Sequence, residues 1–144
     1  MPQLRPNPAL DQLQVLVGDW TMESPQYPEG RGVEAFRWLE GGAFLVQQSD
    51  AERDAFPSST WIIGRDDSTE TYCVLYYDSR GVSRVYQMSL SGGVWKMWRD
   101  APGFSQRFTG TIADGGGTIR GQWESSQDGS NWEHDFDLTY TKTG

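Results

Sequence analysis

Trp132-Glu133-His134-Asp135-Phe136-Asp137-Leu138-Thr139-Tyr140-Thr141 alternates large side chains with charged or small polar ones at every step. A period of two is the signature of a strand with one face buried, so Trp132, His134, Phe136, Leu138 and Tyr140 are read as facing an interior. Glu133, Asp135 and Asp137 then form a solvated outer face. The same rhythm runs back through most of the chain. Strands are expected at 19–24, 31–40, 43–50, 58–65, 70–78, 82–90, 93–100, 104–113, 118–125 and 132–142. Turn residues divide them: Gly41-Gly42, Asp78-Ser79-Arg80-Gly81, Ser91-Gly92-Gly93, Asp114 to Gly117, and Asp128-Gly129-Ser130-Asn131. The connections are short, so sequence neighbours pair antiparallel.

Ten strands occupy roughly 60% of the chain, a share that an open sheet would pay for in exposed edges. Closure removes the edges, so the fold expected is all-β: a closed up-and-down antiparallel β-barrel of about ten strands. Asn7-Pro8 supplies a helix cap and a first-turn proline, and Leu10, Leu13, Leu16 and Val17 recur at helical spacing. One short amphipathic helix over roughly residues 8–17, ended by Gly18, is expected to cap the barrel near Trp20. The whole of 1–144 reads as one domain, with residues 1–6 as a loose N-terminal arm.

Composition excludes several classes. With 20 acids against 12 bases the net charge is −8, which argues against a nucleic-acid partner. Seven Trp, six Tyr and six Phe exclude a disordered chain, and 17 glycines spread throughout argue against a helical bundle. No apolar run is long enough to span a membrane as a helix, and no secretory or lipidation signal is visible, so a cytoplasmic location is expected. Cys73 is the only cysteine and His134 the only histidine, which leaves no disulfide framework and no multi-histidine metal site.

Further strands can be phased. Ile119, Gly121 and Trp123 point inward, as do Trp20 and Met22; Arg84 is in phase with Tyr86, Met88 and Leu90. In 93–100 the Trp95, Met97, Arg99 face is placed inside, because burying Lys96 costs more than burying Arg99 stacked on tryptophan. Arg107 is expected to face solvent. Strand 70–78 is apolar on both faces and cannot be phased; its exposed aromatic face would serve to pair subunits, so both monomer and homodimer stay open.

Gly18-Asp19-Trp20, directly after a short helix at the head of a β-meander, resembles the Gly-x-Trp signature of the calycins, which include lipocalins, fatty-acid-binding proteins and nitrobindins. Phe36-Arg37-Trp38-Leu39-Glu40-Gly41-Gly42 and Gly64-Arg65-Asp66 look like an uncharacterised bacterial lipocalin-like family of the same shape. Fatty-acid-binding proteins carry Arg-x-Tyr in the last strand; here Leu138-Thr139-Tyr140 keeps the tyrosine alone. Nitrobindins extend the signature to Gly-x-Trp-x-Gly-x-Gly, where this chain has Met22 and Ser24, and they ligate haem through a last-strand histidine, for which the resemblance offers His134.

The function expected is a binding protein that holds a small, partly hydrophobic molecule inside the barrel. Arg84, Tyr86, Trp95, Arg99, Trp123, His134 and Tyr140 are the candidate ligand-binding residues: aromatic walls with a few polar tips suit an apolar ligand bearing one anionic or carbonyl group. Alternatives are an enzyme of isomerase, cyclase or hydratase type, with His134 or a tyrosine as general acid or base, and a haem protein ligated by His134; no resident cofactor is otherwise expected. His134 as a hydrogen-bonded residue at a barrel mouth, and Arg84 or Arg99 in internal pairs, are the structural readings of the same residues.

Overall fold

A computed structural model describes residues 5–51 and 56–144, with Glu40 described by its backbone alone. Its ten strands are β1 (Gly18–Glu23), β2 (Gly32–Trp38), β3 (Leu45–Ala51), β4 (Ser59–Arg65), β5 (Tyr72–Asp78), β6 (Ser83–Ser91), β7 (Val94–Arg99), β8 (Ser105–Ala113), β9 (Thr118–Ser126) and β10 (Glu133–Lys142). They form a closed barrel in which each strand pairs antiparallel with its sequence neighbours and β10 closes on β1. Trp20 lies opposite Lys142 across the closing seam and opposite Glu34 on β2. The expected arm over residues 1–6 falls partly outside the described residues, as does 52–55 of the β3–β4 connection.

The turns form for the reasons the sequence suggests. Asp78 Oδ1 accepts from the backbone N–H of Arg80 at 2.8 Å and of Val82 at 3.3 Å, and Asp128 Oδ1 accepts from Ser130 and Asn131 N–H, both at 2.8 Å.

The N-terminal helix, Pro8–Leu16, is a 3-10 helix. Leu10, Leu13 and Leu16 are three apart, so at three residues per turn they stack on one face, and all three are fully buried. The cap is as expected: Asn7 Oδ1 accepts from Ala9 N–H at 3.0 Å. The helix closes one end of the barrel. There the Tyr72 hydroxyl donates to Ala9 O at 2.9 Å and accepts from the Gln12 amide, Trp38 Nε1 donates to Gln14 Oε1 at 2.8 Å, and Trp20 Nε1 donates to Leu16 O at 2.9 Å. Gly18 then opens β1 at φ +137°, where a Cβ would meet Gly144 O at 2.5 Å, so both conformation and space demand glycine. Among the described residues no helix is long and apolar enough to cross a membrane.

The core is aromatic. Trp95 sits at its centre, with ring centroids 5.0 Å from Phe108, 5.8 Å from Tyr140, 6.1 Å from Phe36 and 6.3 Å from Trp61. The geometries are edge-to-face or tilted, as ring quadrupoles prefer. Phe108 fits because Gly110 and Gly121 lie opposite each other in the register, and a Cβ on Gly121 would fall 2.5 Å from the Phe108 ring.

Two placements differ from expectation. Between His134 and Phe136 the β9–β10 register slips: His134 pairs with Glu124, whereas Phe136 pairs with Trp123. This β-bulge leaves Asp135 unpaired and turns His134 to the outer face beside Glu124. Trp132 precedes β10 and lies outside, with the Arg107 guanidinium 4.1 Å from its ring centre. Arg107 is itself on the outer face as expected, and pairs with Glu124 through bonds of 2.9 and 3.1 Å.

Candidate functional site

Six of the seven candidate residues point into the barrel, in two tiers. The upper tier lies at the end opposite the helix, which we call the mouth. Arg84 pairs across the sheet with Tyr76, and Arg99 pairs with Gln106. Gln106 Oε1 gathers the group, accepting from the Tyr86 hydroxyl at 2.8 Å and from the Arg84 guanidinium at 3.3 Å. Trp123 backs Tyr86 at 5.9 Å, and Tyr76 flanks it at 6.0 Å. The guanidinium that finds a ring is Arg84's, 5.6 Å over Phe104, rather than Arg99's on Trp95. Tyr27, between Phe56 and Phe136 at 6.2 and 5.7 Å, covers another part of the rim.

Three arginines, Arg84, Arg99 and Arg80, act on the Tyr86 phenol at the mouth although the chain is acidic. Burial raises the Tyr86 phenol above its ordinary pKa, and the positive charges of Arg84, Arg99 and Arg80 oppose that rise. Asp78 is already committed: Arg80, first among its partners, together with the Tyr76 hydroxyl, holds its carboxyl well below the usual range. Among the described residues Arg84 and Arg99 have no carboxylate partner.

The lower tier holds Trp95 and Tyr140 of the candidates, both enclosed by the aromatic core, together with a residue the sequence reading passed over. Glu34 is only 2% exposed and faces this interior. Gln47 Nε2 donates to its Oε1 at 2.6 Å, while Oε2 has no partner. Desolvation pushes the Glu34 pKa from 4.5 up to about 8, against the lowering effect of the Gln47 bond. Tyr140, also fully enclosed, is raised well above its ordinary value by burial and then by the Glu34 charge. A polar seam continues from Glu34 toward the mouth, with Gln47 Oε1 accepting from Ser59 Oγ at 3.5 Å and the Ser59 and Ser49 hydroxyls 2.6 Å apart. The signal for Glu34 was in the sequence: Glu34, Phe36 and Trp38 share one phase of β2, opposite Val33, Ala35 and Arg37.

His134 is outside the site. Its Nε2 lies 2.9 Å from Asp137 Oδ1 on the half-exposed outer face, and this contact is the first cause of Asp137's lowered pKa. An imidazole there is turned away from the interior that a haem would occupy, so the residues present do not fit haem ligation inside the barrel. A broad groove of about 800 Å³ crosses the outside of β1–β5, lined by Val33, Ala35, Gln48, Asp50, Thr60 and Tyr77. It is open to solvent, and Trp20, Glu34, Ser49 and Ser59 also border it.

The architecture defines a closed ten-strand antiparallel barrel with one end covered by a helix and an arginine-bearing mouth at the other. It is similar to the crystal structure of Rv2717c from M. tuberculosis, with a TM-score of 0.64 and 17% sequence identity over 96% of this chain and 99% of that one. At that identity the likeness establishes the fold alone. No protein-family model and no curated protein matches the chain.

Proposed function

We propose that the protein binds a small, partly hydrophobic molecule carrying one anionic group, which sits at the mouth with its apolar part against Tyr86, Trp123 and Tyr76. The observation that carries this reading is the pair of guanidiniums, Arg84 and Arg99, gathered over an aromatic interior with no carboxylate to neutralise them among the described residues. A partly buried guanidinium needs an anionic counterpart, and a ligand carboxylate or phosphate supplies one. An acid–base enzyme on the same scaffold is the second reading. The buried Glu34, which keeps its proton near neutral pH, is what favours it.

Dodecanoate binding followed by calorimetry tests the first reading. Arg84→Met keeps the apolar stem and removes the donors, so it is expected to weaken binding by about 1.5–3 kcal/mol while the fold survives. Severe destabilisation with unchanged affinity means that Arg84 is structural and removes the anionic-ligand proposal. Native mass spectrometry of the purified protein is expected to find a co-purified anionic small molecule.

A further inference from the structure

The lower tier contains three buried polar atoms with no partner: Glu34 Oε2, Trp61 Nε1 and Trp95 Nε1. They belong to one contiguous set of side chains. The Trp61 and Trp95 rings are 6.3 Å apart, and Phe36 touches both at 6.2 and 6.1 Å. Gln47, which bonds Glu34, lies directly opposite Trp61 in the β3–β4 register and opposite Phe36 in the β2–β3 register. Unsatisfied buried polar atoms are rare in native proteins, because each carries the full desolvation cost of an unmade bond. Three on contiguous side chains mark the shell as a place where a partner from outside the chain would be held.

The chemistry of that partner follows from which groups are unpaired. Both indole nitrogens are donors only. Glu34 is neutral at pH 7, and since its Oε1 accepts from Gln47, its proton belongs on Oε2. The shell thus offers three donors. A water molecule would satisfy some of them but would bring two protons of its own into surroundings formed largely by the Phe36, Phe108 and Trp rings. An anion would have to leave water for a site with no positive charge. A carbonyl oxygen accepts without donating and carries no net charge.

We infer that the Glu34–Trp61–Trp95 shell is a second binding point inside the barrel, which takes the carbonyl oxygen of a small, neutral, mostly apolar molecule or of the apolar part of a larger ligand. The inference rests on the reading of the barrel interior as a ligand site, but it uses none of the mouth arginines. Trp61, at 7% the least enclosed of the three, lies beside the half-buried Tyr76, which in turn pairs with Arg84, so the shell is approached from the mouth. A protonated carboxyl held in an apolar site is a strong donor to such an oxygen, and the role suits a group whose ionisation burial suppresses.

Two probes of matched shape separate hydrogen bonding from apolar filling: cyclopentanone and methylenecyclopentane. Affinities are measured by ligand-observed NMR on the wild-type chain, on Trp61→Phe, which removes one N–H and keeps a ring, and on Glu34→Met. Each variant is expected to weaken cyclopentanone about tenfold and to leave methylenecyclopentane within twofold. The infrared carbonyl stretch of the bound ketone is expected to lie below its frequency in hexane, and to move back toward it in Trp61→Phe. Equal effects of the variants on both probes, or an unshifted carbonyl, overturn the inference. So does a crystal structure with one ordered water on these donors that the ketone does not displace. Should dodecanoate bind while cyclopentanone does not, this inference fails and the mouth reading stands; failure of both ligands removes both.

Discussion

The folded chain is expected to lose stability as the pH rises from about 4.5 to about 8, and the E34Q variant is expected to lose that dependence. Below the ordinary carboxylate pKa of 4.5, Glu34 is protonated in both the folded and the unfolded chain, and its ionisation costs nothing. Between the two values the unfolded chain releases the proton while the folded chain keeps it, so the unfolded state gains and stability falls. Above about 8 both states are ionised and the fall levels off. The separation corresponds to a loss on the order of 5 kcal/mol across the window, a large part of the stability of a domain this size. Asp78, Asp128, Asp137 and Glu124 act in the opposite sense, because hydrogen bonds and opposite charges lower their pKa values in the folded chain. Their contribution is lost on acidification, below the Glu34 window. Chemical denaturation of wild type and E34Q at intervals from pH 4.5 to 8.5 measures the effect. A wild-type curve flat across that range, or an equal slope in E34Q, would show that Glu34 ionises freely and is not enclosed.

Trp20→Ala is expected to destabilise the protein by about 3–5 kcal/mol, the range for removing a large core aromatic. Trp20 is 1% exposed, and its indole N–H is bonded to Leu16 O, so the substitution opens a cavity and also frees the end of the 3-10 helix from the barrel. The helix in turn covers the base through Leu10, Leu13 and Leu16. Urea unfolding followed by circular dichroism measures the change. A loss below about 1 kcal/mol would mean that the ring is not a core element and that the helix closes the barrel without it.

The outcome at particular residues shows where local pattern is informative. In β7 the cost of burying Lys96 placed Trp95 and Met97 inside, and they are 0% and 1% exposed. In β5 both faces are apolar, so no local argument could choose. The register with β4 and β6 puts Tyr72, Val74 and Tyr76 inside and leaves Leu75 and Tyr77 outside. His134 is the instructive failure. Its alternation with Phe136, Leu138 and Tyr140 is unbroken in the sequence, yet one unpaired residue at Asp135 reverses the face of everything before it. Nothing in the strand's own pattern marks a bulge of that kind.

Alternation, turn chemistry and the leucine spacing determined by themselves that this chain would form ten antiparallel strands behind one short capped helix, because hydrophobic period and turn propensity act over a few neighbouring residues. The outward turn of His134, the gathering of Arg84 and Tyr86 around Gln106, and the enclosure of Glu34 beside Gln47 were decided only by the tertiary structure. Each joins side chains from different strands, up to 22 residues apart in the Arg84–Gln106 contact, and depends on a register that a single-residue slip would change. Whether a carboxyl keeps its proton depends in the same way on which strands surround it, since burial is a property of the closed barrel and not of the strand that carries the residue.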